Sequence, residues 1–116
     1  MSFFLFPGQG SQVPGMGKDF YEAGGPAKEV FDEAGAIAGD SFLTIIFEGP
    51  AETLTDTRNA QVALLTTEVA IARHLESVGI APSGCAGHSL GEIPALVVAG
   101  ALTFNDAFRL TQVRAR

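Results

Sequence analysis

The sequence predicts an α/β fold built on a parallel sheet, and three stretches carry that expectation. An aromatic-rich apolar run, Ser2–Phe6, is stopped by the glycine-rich PGQGSQ, the pattern of a buried strand entering an irregular loop. A run of small uncharged residues, SGCAGH at 83–88, suits a parallel strand covered on both faces. Between them, Asn59–Val78 places Val62, Leu65, Val69, Ala72 and Leu75 on one helical face, as in a helix laid against a sheet. With 116 residues, 47% apolar and 17% charged, residues 1–116 read as one globular unit.

The remaining elements follow in chain order. From Pro26, a residue suited to a first turn, AKEVFDEAGAIA sets Val30, Phe31, Ala34 and Ile37 at helical spacing. SFLTIIFE at 41–48 is ambiguous by periodicity. Asp40 and Ser41 as caps, with Gly49-Pro50 following, favour a short helix. Gly79 is placed to end the long helix, and Leu90–Ala99 reads as another, closed by Gly100. Thr103 and Asp106 form a capping-box pattern opening a last helix, which runs to Arg116 with no stop signal and is expected to be incomplete.

Composition excludes several kinds of function. Thirteen acidic against seven basic residues give a net charge of −6, the wrong sign for a nucleic-acid binder. A single cysteine and two histidines without paired-ligand spacing make a metal site unexpected. The opening MSFFLF has no basic residue ahead of it and is broken by Pro7-Gly8, unlike a secretory signal. No stretch approaches the roughly 20 apolar residues of a membrane span. A cytoplasmic protein without membrane association is expected. The glycine-rich loop is a poor nucleotide cradle. Val13 replaces the third glycine of G-x-G-x-x-G, and Gln12 and Asp19 break the pattern that ends in G-K-[ST].

Chemistry concentrates at Gly87-His88-Ser89-Leu90-Gly91, a G-x-S-x-G pattern between a small-residue strand and a helix, the setting of a nucleophile elbow. Gly87 and Gly91 keep side chains away from a sharp turn that exposes the Ser89 hydroxyl. The backbone N–H of Leu90 becomes an oxyanion donor, and that of Gln9, in the loop after the first strand, is the candidate second donor, because parallel strands end at one edge. No base is evident. His88 adjoins the serine and points elsewhere, so it buttresses the loop. His74, near a helix end, reads as a partly exposed helix residue. Arg114 lies in register with Thr103, Ala107 and Leu110 on an apolar stripe. Its head either snorkels to solvent or meets a buried anion, such as a substrate carboxylate. Cys85 reads as a small buried strand residue.

FLFPGQGSQ, GPAETL, NAQVALLTTEVA, GHSLGEIPALVVAG and RLTQVR, in that order, resemble the malonyl-CoA:acyl carrier protein transacylases and the acyltransferase domains of fatty-acid and polyketide synthases. The resemblance covers the whole chain and implies a hydrolase-like acyltransferase core. It implies that Ser89 takes a malonyl group from coenzyme A and passes it to the phosphopantetheine thiol of an acyl carrier protein. Arg114 then pairs with the malonyl carboxylate, and Gln61 lines the site. No tightly bound cofactor is implied, the coenzyme A thioester being substrate. Family members are more than twice as long. Their activating histidine and most of a ferredoxin-like subdomain lie downstream, so residues 1–116 correspond to an N-terminal part, inactive alone, that needs a C-terminal segment or partner chain to supply the histidine. Two other classes stay open: a serine esterase or thioesterase with water as acceptor, and a non-catalytic module that docks a carrier protein or subunit.

Overall fold

Strands β1 (Phe3–Phe6) and β2 (Gly84–Gly87) pair in parallel, with Phe3 opposite Gly84 and Phe6 opposite Gly87. Both fall where the sequence places them. The computed structural model describes residues 3–6, 15–55, 57–80, 84–87 and 92–114. Among these, seven helices accompany the strands: α1 (Lys18–Glu22), α2 (Gly25–Ala38), α3 (Asp40–Glu48), α4 (Ala51–Thr55), α5 (Thr57–Ser77), α6 (Glu92–Val98) and α7 (Phe104–Arg114). Gly84-Cys85-Ala86-Gly87 is a poor strand former by propensity. Its small residues suit close covering instead, and α6 packs against both strands.

The first helices follow their apolar spacing. Pro26 stands in the first turn of α2, whose buried residues are Ala27, Val30, Phe31, Ala34 and Gly35, while Ile37 is half-buried. The ambiguous 41–48 stretch is helical, as its flanks suggest. Its cap is not the one expected from Asp40 and Ser41. Gly39 holds that place at φ 97°, ψ 159°, with no side-chain cap, a conformation only glycine adopts readily. The Gly39 N–H donates to Gly35 O and its carbonyl accepts from Phe42 N, so one residue closes α2 and opens α3. Helix α4 was not anticipated. Five residues are too few for periodicity to register, and the Asn59 amide fastens the turn after it by donating to Thr53 O at 2.8 Å.

Helix α5 differs most from expectation. Val62, Leu65, Val69 and Ala72 are buried as predicted, but so is every residue from Ala60 to Thr67. The helix packs among other helices, chiefly α2, α7 and α6, rather than on the two described strands. The buried Thr66 hydroxyl is satisfied by donating to Val62 O at 2.8 Å, the back-bond open to threonine within a helix. Rings complete the core around it. Tyr21, Phe31 and Phe47 sit with centroids 5.2 to 5.8 Å apart, and Phe42, Phe104 and Phe108 form a second group.

Helices α6 and α7 keep their predicted positions. Pro94 falls in the first turn of α6, where its missing N–H has no intrahelical acceptor to lose. The Asp106 N–H donates to the Thr103 hydroxyl at 3.1 Å, one half of the expected capping box. The buried face of α7 is Phe104, Ala107, Phe108 and Thr111, while Leu110 is 50% exposed. The stripe drawn through Thr103, Ala107, Leu110 and Arg114 is therefore corrected, since Leu110 and Thr103 both face outward.

Gly17 makes the tightest backbone approach to this core. Its φ is 76°, and a Cβ there would stand 2.8 Å from the Phe31 ring and 3.0 Å from the Thr67 methyl. Gly17→Ala is expected to cost about 2 to 4 kcal/mol, from strain and overpacking together. Gly24→Ala, at φ 77° with nothing within 4 Å, should lose only about 1 kcal/mol. Urea melts of the two variants give the comparison, and equal losses would mean that Phe31 yields freely.

Candidate functional site

The strand ends are the anchor. Phe6 and Gly87 are the last residues of their strands and are register partners, so the chain leaves β1 and β2 at one edge. Gly87 begins the G-x-S-x-G pattern and α6 opens at Glu92. The pattern thus occupies a strand-to-helix connection, the context an elbow requires. Gln9, His88, Ser89, Leu90 and Gly91 lie outside the described residues.

Two further predicted residues come from the helices. Gln61 is buried in the first half of α5. Arg114 closes α7, and its side chain lies outside the described residues. His74 is half-buried and sits edge-on to Phe20, with centroids 5.1 Å apart. It packs against a ring as an ordinary helix residue does.

One titratable group escaped the sequence reading. Glu68 lies two helical turns beyond Gln61 on the same face of α5, roughly 10 Å further along the axis. Both of its carboxylate oxygens are buried, and neither has a hydrogen-bond partner among the described residues. Burial pushes its pKa up from 4.5 to about 8, because desolvation disfavours the charged form. The residue as a whole retains some exposed surface, yet the oxygens themselves are shielded, which accounts for the direction. A signal was present: Glu68 is the one charged residue in an otherwise apolar and threonine-rich run, VALLTTEVAIA.

An open cavity of about 420 Å³ lies beside the same helix ends. Phe42, Ile45 and Val62 line its apolar part, and Asn59 and Gln112 supply neutral amides. These two stand two residues before Gln61 and Arg114. Among the described residues, its lining is apolar and neutral polar.

Residues 3–116 match the acyl transferase domain model. The chain belongs to the acyl transferase domain family. It is 57% identical over 104 residues to the malonyl CoA-acyl carrier protein transacylase of Bacillus subtilis (strain 168), covering 90% of this chain and 33% of that protein. Among solved structures, the acyl-carrier-protein-S-malonyltransferase from Bartonella henselae superposes with a TM-score of 0.91 at 43% identity, over 99% of this chain and 38% of that one. A malonyl-transacylase in complex with a type II polyketide synthase acyl-carrier protein gives 0.90 at 43% identity, over 99% and 38%. The chain therefore spans about a third of the length of the curated relative. The acyl transferase domain match takes in every described element from β1 to α7. Among the described residues, no helix is long and apolar enough to cross a membrane.

Proposed function

We propose that residues 1–116 form the N-terminal part of a malonyl-CoA:acyl carrier protein transacylase. The observation that carries this reading is the paired ending of β1 and β2 at Phe6 and Gly87, within a chain whose residues 3–116 match the acyl transferase domain model. It starts the segments bearing Gln9 and Ser89 from adjacent points, as a nucleophile and its oxyanion donors require. The Ser89 hydroxyl adds to the thioester carbonyl of malonyl-CoA while a base removes its proton. The oxyanion is held by the N–H groups of Leu90 and Gln9. The intermediate collapses with loss of the coenzyme A thiolate, which takes up a proton, and leaves a malonyl ester on the serine. The phosphopantetheine thiol of an acyl carrier protein then attacks that ester and frees the hydroxyl.

Arg114 pairs with the malonyl carboxylate in this scheme, Gln61 lines the pocket, and Gly87, His88 and Gly91 support the turn. The activating histidine and a ferredoxin-like subdomain come from a C-terminal segment or chain. No tightly bound cofactor takes part, and the cytoplasm is the expected location. Incubating the complete acyltransferase with malonyl-CoA should leave a malonyl group on the peptide that holds Ser89, and Ser89→Ala should remove it. Mass spectrometry that places the adduct on another residue would overturn the assignment. An adduct lost to water as fast with carrier protein absent as with it present would instead identify an esterase.

A further inference from the structure

We propose that Glu68 is a positioning residue of the acyl-transfer site: undissociated, it fills the space between α1 and α6 on the flank of α5, and loss of its proton parts those two helices. The proposal rests on the acyltransferase reading above and adds to it a residue that acts through the helices leading from the site. Thr67 and His74 mark one side of the position. The Thr67 methyl lies so close to Gly17, the residue capping α1, that a Cβ there would stand 3.0 Å away, and His74 packs on Phe20 of α1. Ala72 and Arg73 mark the other side. Ala72 clusters with Ala95 and Val98 of α6, and the Arg73 guanidinium donates to Val97 O at 3.4 Å. At about 100° per residue, Thr67 and His74 stand about 100° to 120° to one side of Glu68 around the axis, and Ala72 and Arg73 about 40° to 140° to the other. Glu68 therefore sits between the two contacts, with Gln61 only about 20° from it.

That position gives the residue its reach. The chain between β1 and α1 carries Gln9, and that between β2 and α6 carries Ser89. The two strands end side by side, so α1 and α6 take up the segments that leave one sheet edge. A buried polar group without a partner is rare and calls for a reason, and among the described residues both Glu68 oxygens are such groups. No described charge offsets them, since burial alone raises the pKa. On α5 itself, Arg73 is held by Glu76 at 2.9 Å, His74 lies against Phe20, and Arg58 stands about three turns away. Lys18 of α1 pairs with Glu48 at 3.3 Å, Asp19 and Glu22 are exposed, and α6 brings only Glu92. The charged side chains described on α2, α4 and α7 are exposed. An undissociated carboxyl can stay shielded at moderate cost, whereas an ionised one must reach water. The parting that wets it is local, because α1 has five residues and α6 seven, and local openings cost less than unfolding.

The test is hydrogen exchange of the complete acyltransferase from pH 6 to pH 9, corrected for the intrinsic rate of free amides. With a pKa of about 8, an opening that frees the carboxyl becomes about tenfold easier between pH 7 and pH 9. The amides of Ala95–Val98 should therefore lose about tenfold in protection over that interval, while exchanging faster than the buried amides of α2 at every pH. In Glu68→Gln the pH step should vanish, as it should in Glu68→Met, which fills the space without a polar group. The ratio of kcat/KM for malonyl-CoA at pH 9 to that at pH 7 should be several-fold lower in the parent than in either variant. Level protection of α6 in the parent would overturn the proposal, and so would α6 and α2 exchanging as one, the mark of a residue that serves global stability alone. Both outcomes are read in the parent, whether or not the variants fold. Coinciding kcat/KM ratios would deny Glu68 its link to the site. An α6 step governed by Glu68 in an enzyme that takes no malonyl group on Ser89 would sink the acyl-transfer reading and leave the positioning of α6 standing.

Discussion

Replacing Glu68 by glutamine is expected to abolish most of a fall in stability as pH rises from 4.5 to about 8, the ordinary and raised values of its carboxyl group. The sign follows from linkage. The folded protein holds the Glu68 proton more tightly than the unfolded chain does, so over this interval the native state carries more protons and loses stability with each step upward. The contribution is complete below 4.5 and exhausted once pH passes about 8. One pKa unit corresponds to about 1.4 kcal/mol, and a partly shielded residue should lose about 2 to 4 kcal/mol across the interval. Its buried oxygens lack hydrogen-bond partners among the described residues, and a desolvated carboxylate without partners is costly. Glu68→Gln keeps the shape and removes the titration. Urea melts at intervals across this range should show a falling midpoint for the parent and a nearly level one for the variant. Parallel profiles would mean that ionised Glu68 finds a cation.

Arg114→Ala is expected to reduce use of malonyl-CoA by about ten- to a hundredfold in kcat/KM in the complete acyltransferase, the loss matching a charge-assisted hydrogen bond of about 1.5 to 3 kcal/mol. Acetyl-CoA, whose acyl group carries no carboxylate, should be used as well as before or better, because no unpaired guanidinium then has to be desolvated beside a neutral acyl group. Arg114→Lys should restore part of the preference, since an ammonium cannot offer the planar two-pronged geometry. The placement of Arg114 at the end of α7, one turn past the buried Thr111, gives the prediction a second edge. Equal losses with both substrates would show that Arg114 supports the helix and not the substrate.

The difference between what the sequence disclosed and what it concealed has physical causes. Strands β1 and β2 were legible from Phe3–Phe6 and from the small residues before Ser89, because both are short uniform runs with abrupt ends. The Thr103 cap was legible because it depends on two residues three apart. Helix α4 was not, since a single turn has no period. The all-round burial of α5 from Ala60 to Thr67 was hidden by Ala60, Ala63, Thr66 and Thr67, residues too small or too polar to mark a face. Leu110 misled in the opposite direction: it reads as core by type and stands half in water. In the candidate site, the strand-to-helix setting of the serine pattern agrees with the sequence reading. Glu68 did not stand out, because an acidic residue on a helix is ordinary until its neighbours are seen to enclose it.

The pairing of Phe6 with Gly87 also bears on the order in which the protein can be made. These partners are 81 positions apart, from 87 − 6, with α1 to α5 between them. On a ribosome, β1 emerges first and waits while five helices are synthesised before its neighbour exists. During that interval an aromatic strand with unpaired N–H and C=O groups is open to other nascent chains. Each contact across the sheet closes a long loop, which slows the step relative to the local helices. The G-x-S-x-G pattern follows β2 directly in the sequence, so its residues are also synthesised after that interval. Synthesis at reduced speed or without chaperones should therefore affect the yield of paired sheet more than the yield of helix.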